Sequence, residues 1–371
     1  MSECVLITGG AGFIGSHVGR ELLHSGFTVR ALDDLNPQVH EAGARPHYLD
    51  DDVELVIGDL RDPQAVSRAL DGVDDVVHFA ARVGVGQSMY EIADYTSVNT
   101  HGTGVLLDAM AQRDVGRLLV ASSMSVYGEG LYRAPDGTLH DNIQRTPDQL
   151  ARKQWDPLGL DGESLEPLPT PETKPPSLSS VYALGKYDQE RMCLLYGAAY
   201  GVPTVALRFF NVYGPDQALS NPYTGVLAIF AARLLNNRPP MVFEDGEQRR
   251  DFVAVQDVAR ACHLALIADD AVGHVLNIGS GRSATVTEVA EQLAKVTGKS
   301  HIEPEVTGKY RVGDIRHCFA DITLARELLA FEPAIDLEEG VAALAQWLEG
   351  QVAVDRVDDA AMELSSRGLA R

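Results

Sequence analysis

The sequence is short of cysteine, of positive charge and of long apolar runs, and each shortage excludes something. Its four cysteines, Cys4, Cys193, Cys262 and Cys318, show no CxxC spacing, which argues against a zinc site and against a disulfide scaffold. That cysteine usage suits a reducing compartment, and a cytoplasmic location is expected. Thirty-one Lys and Arg face 53 Asp and Glu, a formal net charge of −22, so nucleic acid and anionic membrane surfaces are not expected partners. No apolar run approaches the ~20 residues needed to span a bilayer, and the opening Met1-Ser-Glu-Cys4 lacks the basic segment of a secretory signal. Repeats and low-complexity tracts are lacking too, and no metal is expected. What is present is an acidic chain of 371 residues, 45% apolar and 23% charged, enough for one large or two intimate globular domains.

The first half alternates short apolar runs with helix-length amphipathic stretches. Val5–Thr8 leads into a glycine turn and a helical Ser16–Ser25. Thr28–Leu32, Val53–Ile57, Val73–Phe79, Arg117–Ser122 and Thr204–Leu207 follow. Runs of this length, rich in β-branched and aliphatic residues, predict parallel strands buried on both faces. The alternation predicts an α/β fold, a Rossmann-like doubly wound parallel sheet. The segment Glu129–Ser180, rich in Pro, Gly, Asp and Thr, breaks the rhythm and reads as an insertion with one short helix near Thr146–Arg152. After Arg208 the pattern is mixed, with helices expected at Leu227–Asn236, Thr287–Thr297 and Leu337–Gln351 and a further one in the acidic tail. The expected division gives residues 1–207 plus about 250–276 to a dinucleotide-binding domain that carries the 129–180 insertion. Residues about 208–249 plus 277–371 then form a smaller, mixed α/β C-terminal domain that binds substrate.

The first chemical motif is Gly9-Gly-Ala-Gly12-Phe-Ile-Gly15. Glycine spacing alone is weak, since any tight strand-to-helix turn uses it. Here it follows a strand and opens a helix, the context in which glycines let backbone approach a pyrophosphate at a helix N-terminus. Asp33 ends the second strand, where a carboxylate accepts hydrogen bonds from adenosine ribose hydroxyls and repels a 2′-phosphate. NAD is therefore expected rather than NADP. Asp59, in Gly58-Asp-Leu60 after the third strand, is placed near the adenine, or serves only as a turn residue.

The second motif is Tyr182-Ala-Leu-Gly-Lys186, preceded by the N-cap candidates Ser179-Ser180 and opening a helix to about Tyr200. Spacing of four puts phenol and ammonium on one helical face. A neighbouring cation favours the phenolate and pulls its usual pKa of ~10 toward the working pH. Such a tyrosine takes a proton from a hydroxyl while a nicotinamide accepts hydride. Ser123, in Ala121-Ser-Ser-Met-Ser-Val-Tyr127 at a strand end, is placed to hydrogen-bond the reacting oxygen, or else only satisfies local backbone groups.

Together these residues resemble the extended short-chain dehydrogenase/reductase family, in its NAD-dependent nucleotide-sugar epimerase/dehydratase branch. TGGAGFIG (8–15), HFAA (78–81), SVN (97–99), SSMSVYG (122–128), YALGK (182–186), RFFNVYGP (208–215), RDFV (250–253) and RVGD (311–314) fall in family order over nearly the whole chain. The resemblance implies Ser123, Tyr182 and Lys186 as the catalytic set. It implies a cofactor site of Gly9, Gly12, Phe13, Ile14, Gly15, Asp33, Asp59, Leu60, Phe79, Ala80, Ala81, Asn99, Tyr182 and Lys186. For the substrate, a nucleoside-diphosphate sugar, it implies Val83, Ser123, Ser125, Asn211, Arg250 and Arg311. Asn211 and the two arginines are matched to the diphosphate, with guanidinium forks suited to bidentate phosphate contacts. A homodimer through the helices near Thr100–Gln112 and Tyr182–Tyr200 is implied as well.

Within the family, 4,6-dehydratases carry an Asp-Glu pair directly after the catalytic Ser/Thr, and UDP-glucuronate decarboxylases carry a glutamate at the second of those positions. Here they are Met124 and Ser125, neither an acid nor a base at neutral pH. The expected reaction is therefore 4-epimerisation by transient oxidation to a 4-keto sugar and re-reduction on the opposite face. The stretches at Gly84–Glu91, Asn211–Val226 and Glu244–Val253, with the long insertion, resemble the dTDP-L-rhamnose 4-epimerase subgroup, which interconverts dTDP-L-rhamnose and dTDP-6-deoxy-L-talose. A UDP-hexose or UDP-uronate 4-epimerase, a reductase or dehydratase of the same family, and a non-catalytic NAD-binding sensor stay open as alternatives.

Overall fold

In a computed structural model, residues 3–40, 43–223, 225–311 and 313–370 are described; Thr224 of the Asn211–Val226 stretch and Val312 of RVGD lie outside these. Seven strands make one sheet: β1 (Cys4–Thr8), β2 (Thr28–Asp33), β3 (Glu54–Ile57), β4 (Asp75–His78), β5 (Arg117–Ser123), β6 (Thr204–Phe209) and β7 (Val275–Ile278). All pairings are parallel, in the order β7-β6-β5-β4-β1-β2-β3. This is the Rossmann-like arrangement expected. The strand order reverses between β1 and β4, and the crevice at their carboxyl ends is where such sheets bind ligands.

The principal helices are α1 (Phe13–His24), α2 (Gly102–Met110), α3 (Val181–Tyr200), α4 (Val226–Leu235), α5 (Val255–Ile267), α6 (Val286–Val296), α7 (Leu337–Leu348) and α8 (Val357–Ser366). Period-two alternation sorts each strand's side chains to the two faces. Val5 and Ile7 of β1 pack with Val18 and Leu22 of α1 and with Cys262 and Ala265 of α5. Leu6, one residue out of phase, packs on the other face with Leu106 of α2 and Cys193 and Tyr196 of α3. A separate core joins α4, α6 and α7 through Phe230, Leu234, Leu293, Val341 and Leu344. The four-residue β7 carries no periodicity of its own and was not expected; it is specified by its place beside β6.

The insertion contains the expected short helix, Pro147–Ala151, with Thr146 as N-cap and proline in its first turn. It also holds a small antiparallel sheet of Leu131–Arg133, Leu139–His140 and Glu166–Leu168, for which the sequence carries no strand pattern. Strands of two or three residues are too short to show a period. A buried ion network ties the insertion to the α4–α7 lobe. Arg145 bridges Glu129 (3.1 Å) and Glu244 (2.6 Å), and Arg316 reaches Glu244 (3.2 Å), Asp245 (2.5 Å) and Asp156 (2.7 Å). Among the described residues no helix is long and apolar enough to cross a membrane, and no His/Cys/Asp/Glu group could hold a metal ion.

Candidate active site

A cleft of about 630 Å³ opens at the strand-order reversal and continues between the sheet and the α4–α7 lobe. Its floor begins at the glycine turn. Gly9 has φ +71°, and a Cβ there would lie 2.9 Å from the Ala80 nitrogen; one on Gly15 would lie 2.4 Å from the Gly9 carbonyl oxygen. Both positions therefore exclude side chains. Gly12 caps α1 with no side-chain hydrogen bond, which leaves the first N–H groups of the helix free for an anion. Asp33, buried at the end of β2, accepts from the amides of Ala11 (3.1 Å) and Leu35 (3.0 Å). Burial raises its carboxyl against the pull of His40 and these amides.

Gly9, Gly12, Phe13, Ile14, Gly15, Asp33, Asp59, Leu60, Phe79, Ala80 and Ala81 all line this cleft. The Asp59 carboxylate is already held by Arg61 at 2.5 Å, which lowers its pKa. Asn99 does not line the cleft. It is fully buried, its amide oxygen accepts from the Arg82 nitrogen (2.7 Å) and its amide nitrogen donates to the Arg82 carbonyl (3.1 Å). These two bonds fix the Arg82 backbone at the edge of the cleft.

Ser123, Tyr182 and Lys186 all line this cleft. Ser180 starts α3 as its N-cap, accepting from the Ala183 amide at 3.1 Å, and Ser88 accepts from the Tyr182 amide at 3.0 Å. The first turn of α3 is thereby pinned from two sides. Burial pushes the Tyr182 phenol above its ordinary range, and hydrogen bonding with Ser123 draws it part of the way back. Lys186 does not supply the expected pull in the chain by itself. Its ammonium donates to Gln189 at 2.7 Å, and burial holds its pKa down to about 8. Gln189 in turn contacts His78, the Ala80 carbonyl and Thr103. His78 lies buried between Thr8 (2.7 Å) and Thr103 (2.8 Å), and burial, with Lys186 nearby, lowers its pKa to about 3.

Val83, Ser125, Asn211, Arg250 and Arg311 line the far half of the cleft. The Asn211 amide nitrogen donates to the Asp251 carbonyl (3.0 Å) beside the Met124 sulfur (3.6 Å). The Asp314 carboxylate accepts from Arg311 at 3.0 and 3.2 Å and lies 3.7 Å from Arg250, whose guanidinium donates to the carbonyls of Arg249 (3.0 Å), Arg316 (2.9 Å) and Ile315. Burial raises the Asp314 carboxyl, yet Arg311, Arg250 and Arg145 outweigh it and hold the group below the usual range. Arg311 also stacks over Phe243 at 4.7 Å.

The reading of the sequence did not find Ser88, Gln189 or Asp314. Gln189 stands one turn beyond Lys186 on the same helix face, and Asp314 one turn beyond Arg311, so spacing was available for those two. Ser88 is 94 residues from Tyr182 and carries no local signal. Among the described residues lining the cleft, the carboxylates are Asp33, Asp34, Asp59 and Asp314. Asp34 faces Arg82 at 3.4 Å, and the other three are engaged as described. Among the described residues, no carboxylate that lines the cleft is hydrogen-bonded to Ser123. Met124 follows it in the chain, and the Ser125 hydroxyl donates to Ser123 at 3.0 Å.

Residues 5–148 and 161–279 match the profile described as the NAD dependent epimerase/dehydratase family. The chain is 35% identical over 348 residues to a dTDP-L-rhamnose 4-epimerase of Burkholderia thailandensis, covering 93% of this chain and 94% of that one. Among solved structures it is similar to a UDP-glucose 4-epimerase of Thermotoga maritima with UDP-glucose, at 31% identity and a TM-score of 0.76, over 94% of this chain and 99% of that one. A UDP-glucuronic acid 4-epimerase of Bacillus cereus with UDP-glucuronic acid and NAD aligns with a TM-score of 0.77 at 26% identity, over 94% and 99%.

Proposed function

The chain belongs to the NAD-dependent epimerase/dehydratase family, and from that premise we propose that it is a nucleotide-sugar 4-epimerase interconverting dTDP-L-rhamnose and dTDP-6-deoxy-L-talose. The observation that carries the reaction class is the lack of a free carboxylate next to Ser123. Elimination of water or loss of CO2 calls for a positioned acid or base there. Met124 and Ser125 supply none, and the lining carboxylates are committed elsewhere. Oxidation and re-reduction at one carbon needs only a proton carrier and a hydride carrier. The choice of sugar and base is supported by the relative at 35% identity.

NAD is the cofactor, and the residues fit it. The Gly9–Gly15 turn leaves room and unpaired N–H groups that would hold the pyrophosphate, and Asp33, at the end of β2 in the cleft, would accept from the adenosine ribose hydroxyls. When bound, NAD takes a hydride from C4 of the sugar and returns it. Tyr182 removes the proton of the C4 hydroxyl and later gives it back, while Ser123 hydrogen-bonds the same oxygen as its charge changes. Burial holds the Tyr182 phenol high; Lys186, whose ammonium donates to Gln189 in the chain by itself, would favour the phenolate if it turned toward Tyr182. Asn211, Arg250 and Arg311 grip the diphosphate so that the 4-keto sugar turns over without leaving.

The test is incubation of purified protein with dTDP-L-rhamnose and no added nicotinamide, followed by proton NMR of the C4 configuration. A mixture of rhamnose and 6-deoxytalose forms is expected. A faster approach to equilibrium with UDP-glucose or UDP-glucuronic acid would reassign the substrate, and unchanged C4 configuration across the whole panel would overturn the epimerase.

A further inference from the structure

Resting on the reading above, the reacting sugar lies between two landmarks: Tyr182 at C4 and the Arg250–Arg311 pair at the diphosphate. One segment, residues 353–370, joins these landmarks across the cleft. At the Tyr182 end, Leu364 packs on Gly86, where an added Cβ would come within 3.2 Å of its Cδ2. Gly86 belongs to the turn whose Ser88 holds the Tyr182 amide. The Arg367 guanidinium covers the Tyr90 ring at 4.4 Å, and the Tyr90 hydroxyl meets that of Tyr223 at 2.6 Å. At the diphosphate end, Ala370 forms an antiparallel bridge with Arg311 itself.

The segment is fastened from behind by charge and faces the cleft with hydrocarbon. Arg233 reaches Asp358 at 2.7 Å, Arg238 reaches Asp358 at 2.9 Å, and Asn236 donates to the Ala353 carbonyl at 2.9 Å. Val357, Ala360, Ala361 and Leu364, at the i, i+3, i+4, i+7 positions of one helical face, line the cleft together with Leu369. No charged side chain of α8 lines it.

We propose that this face of α8 is the lateral wall of the sugar subsite and selects nucleoside-diphosphate hexoses carrying a methyl group at C6 over those carrying a carboxylate. Inversion at C4 presents the two ring faces in turn to one hydride position, so the ring rotates half a turn about its C1–C4 axis. That rotation exchanges the two edges of the ring. In one of the two bound orientations the C5–C6 edge therefore faces α8, whichever orientation binds first. A methyl group there meets Ala361 and Leu364. A carboxylate would be stripped of water with no partner on that wall.

The experiment uses three nucleoside-diphosphate hexoses on the same base, a 6-deoxyhexose, a hexose and a hexuronate, with the full chain in its NAD-loaded form. Binding by calorimetry and kcat/KM are measured for the wild type, Leu364→Arg and the milder Leu364→Gln. The wild type is expected to prefer 6-deoxyhexose over hexuronate by at least ten-fold, the scale of discrimination in an apolar pocket. Leu364→Arg should narrow or reverse that ratio by ten-fold or more at unchanged NAD content, with Leu364→Gln between the two. Equal wild-type affinity for the methyl and carboxylate sugars would overturn the proposal. So would variants that weaken all three sugars alike. A preserved affinity pattern without any inversion at C4 would instead sink the epimerase reading and leave the wall standing, because binding is read without turnover.

Discussion

Tyr182 and Lys186 share a helical face, yet in the chain itself they are wired to different neighbours, the phenol to Ser123 and the ammonium to Gln189. The proton chemistry rests on the phenol. Tyr182→Phe is expected to cut kcat by about 10²–10⁴, the usual worth of a positioned acid–base group, with NAD occupancy unchanged in a spectrum of the purified protein. Undiminished turnover would remove Tyr182 from the mechanism. Behind the pair, His78 offers a test in stability. Its pKa of about 3 in the folded chain lies below the ordinary 6.5, so between these values the unfolded chain binds a proton that the folded chain does not. Stability is therefore lost as pH falls from about 6.5 toward 3. His78→Gln should flatten this part of the acid limb when urea unfolding is followed against pH; an unaltered limb would show that other groups dominate it. Among the residues of the site, those inside contiguous motifs were legible in sequence. Asn99 lay inside one too, and was matched by resemblance to a residue that supports the active-site helix; the partner it holds, the Arg82 backbone, is visible only in the fold.

At the scale of elements, the insertion is held by charge as much as by packing. Arg145 is nearly inaccessible and lies between Glu129 and Glu244, and it also donates to the Asp314 carbonyl at 2.8 Å. Arg145→Met leaves two buried carboxylates short of a partner, a loss expected to cost about 3–5 kcal/mol in denaturant unfolding. Because Asp314 holds Arg311, and the carbonyls of the next two residues hold Arg250, the same variant should raise KM for the nucleotide sugar several-fold while kcat holds. A fall in kcat alone would mean that the network does not act through the diphosphate site. The strands and helices with a full period were readable in advance, from Val5–Thr8 to the helix after Ser180. The three insertion strands and β7 were not, since they are set by the neighbours they pair with and not by their own pattern.

For the whole molecule, α3 leaves Leu184, Leu195 and Tyr200 exposed at 47%, 61% and 63%, on the helix that the family resemblance assigns to a homodimer interface. Sedimentation should find a dimer at micromolar concentration, and Leu195→Arg should convert it to monomer with its far-ultraviolet circular dichroism intact. A monomeric parent chain would dispose of the dimer.

Sequence by itself determined six of the sheet's seven strands, the glycine turn, the Tyr182–Lys186 spacing and the lack of an acid after Ser123. Each depends on residues close together in the chain, where periodicity, steric room and side-chain chemistry act locally. Tertiary structure alone decided that Arg250 comes within 3.7 Å of Asp314, that Ser88 steadies Tyr182 from 94 residues away, and that residues 353–370 return to line the cleft. Those depend on which surfaces the folded cores bring face to face, and no local pattern carries that information.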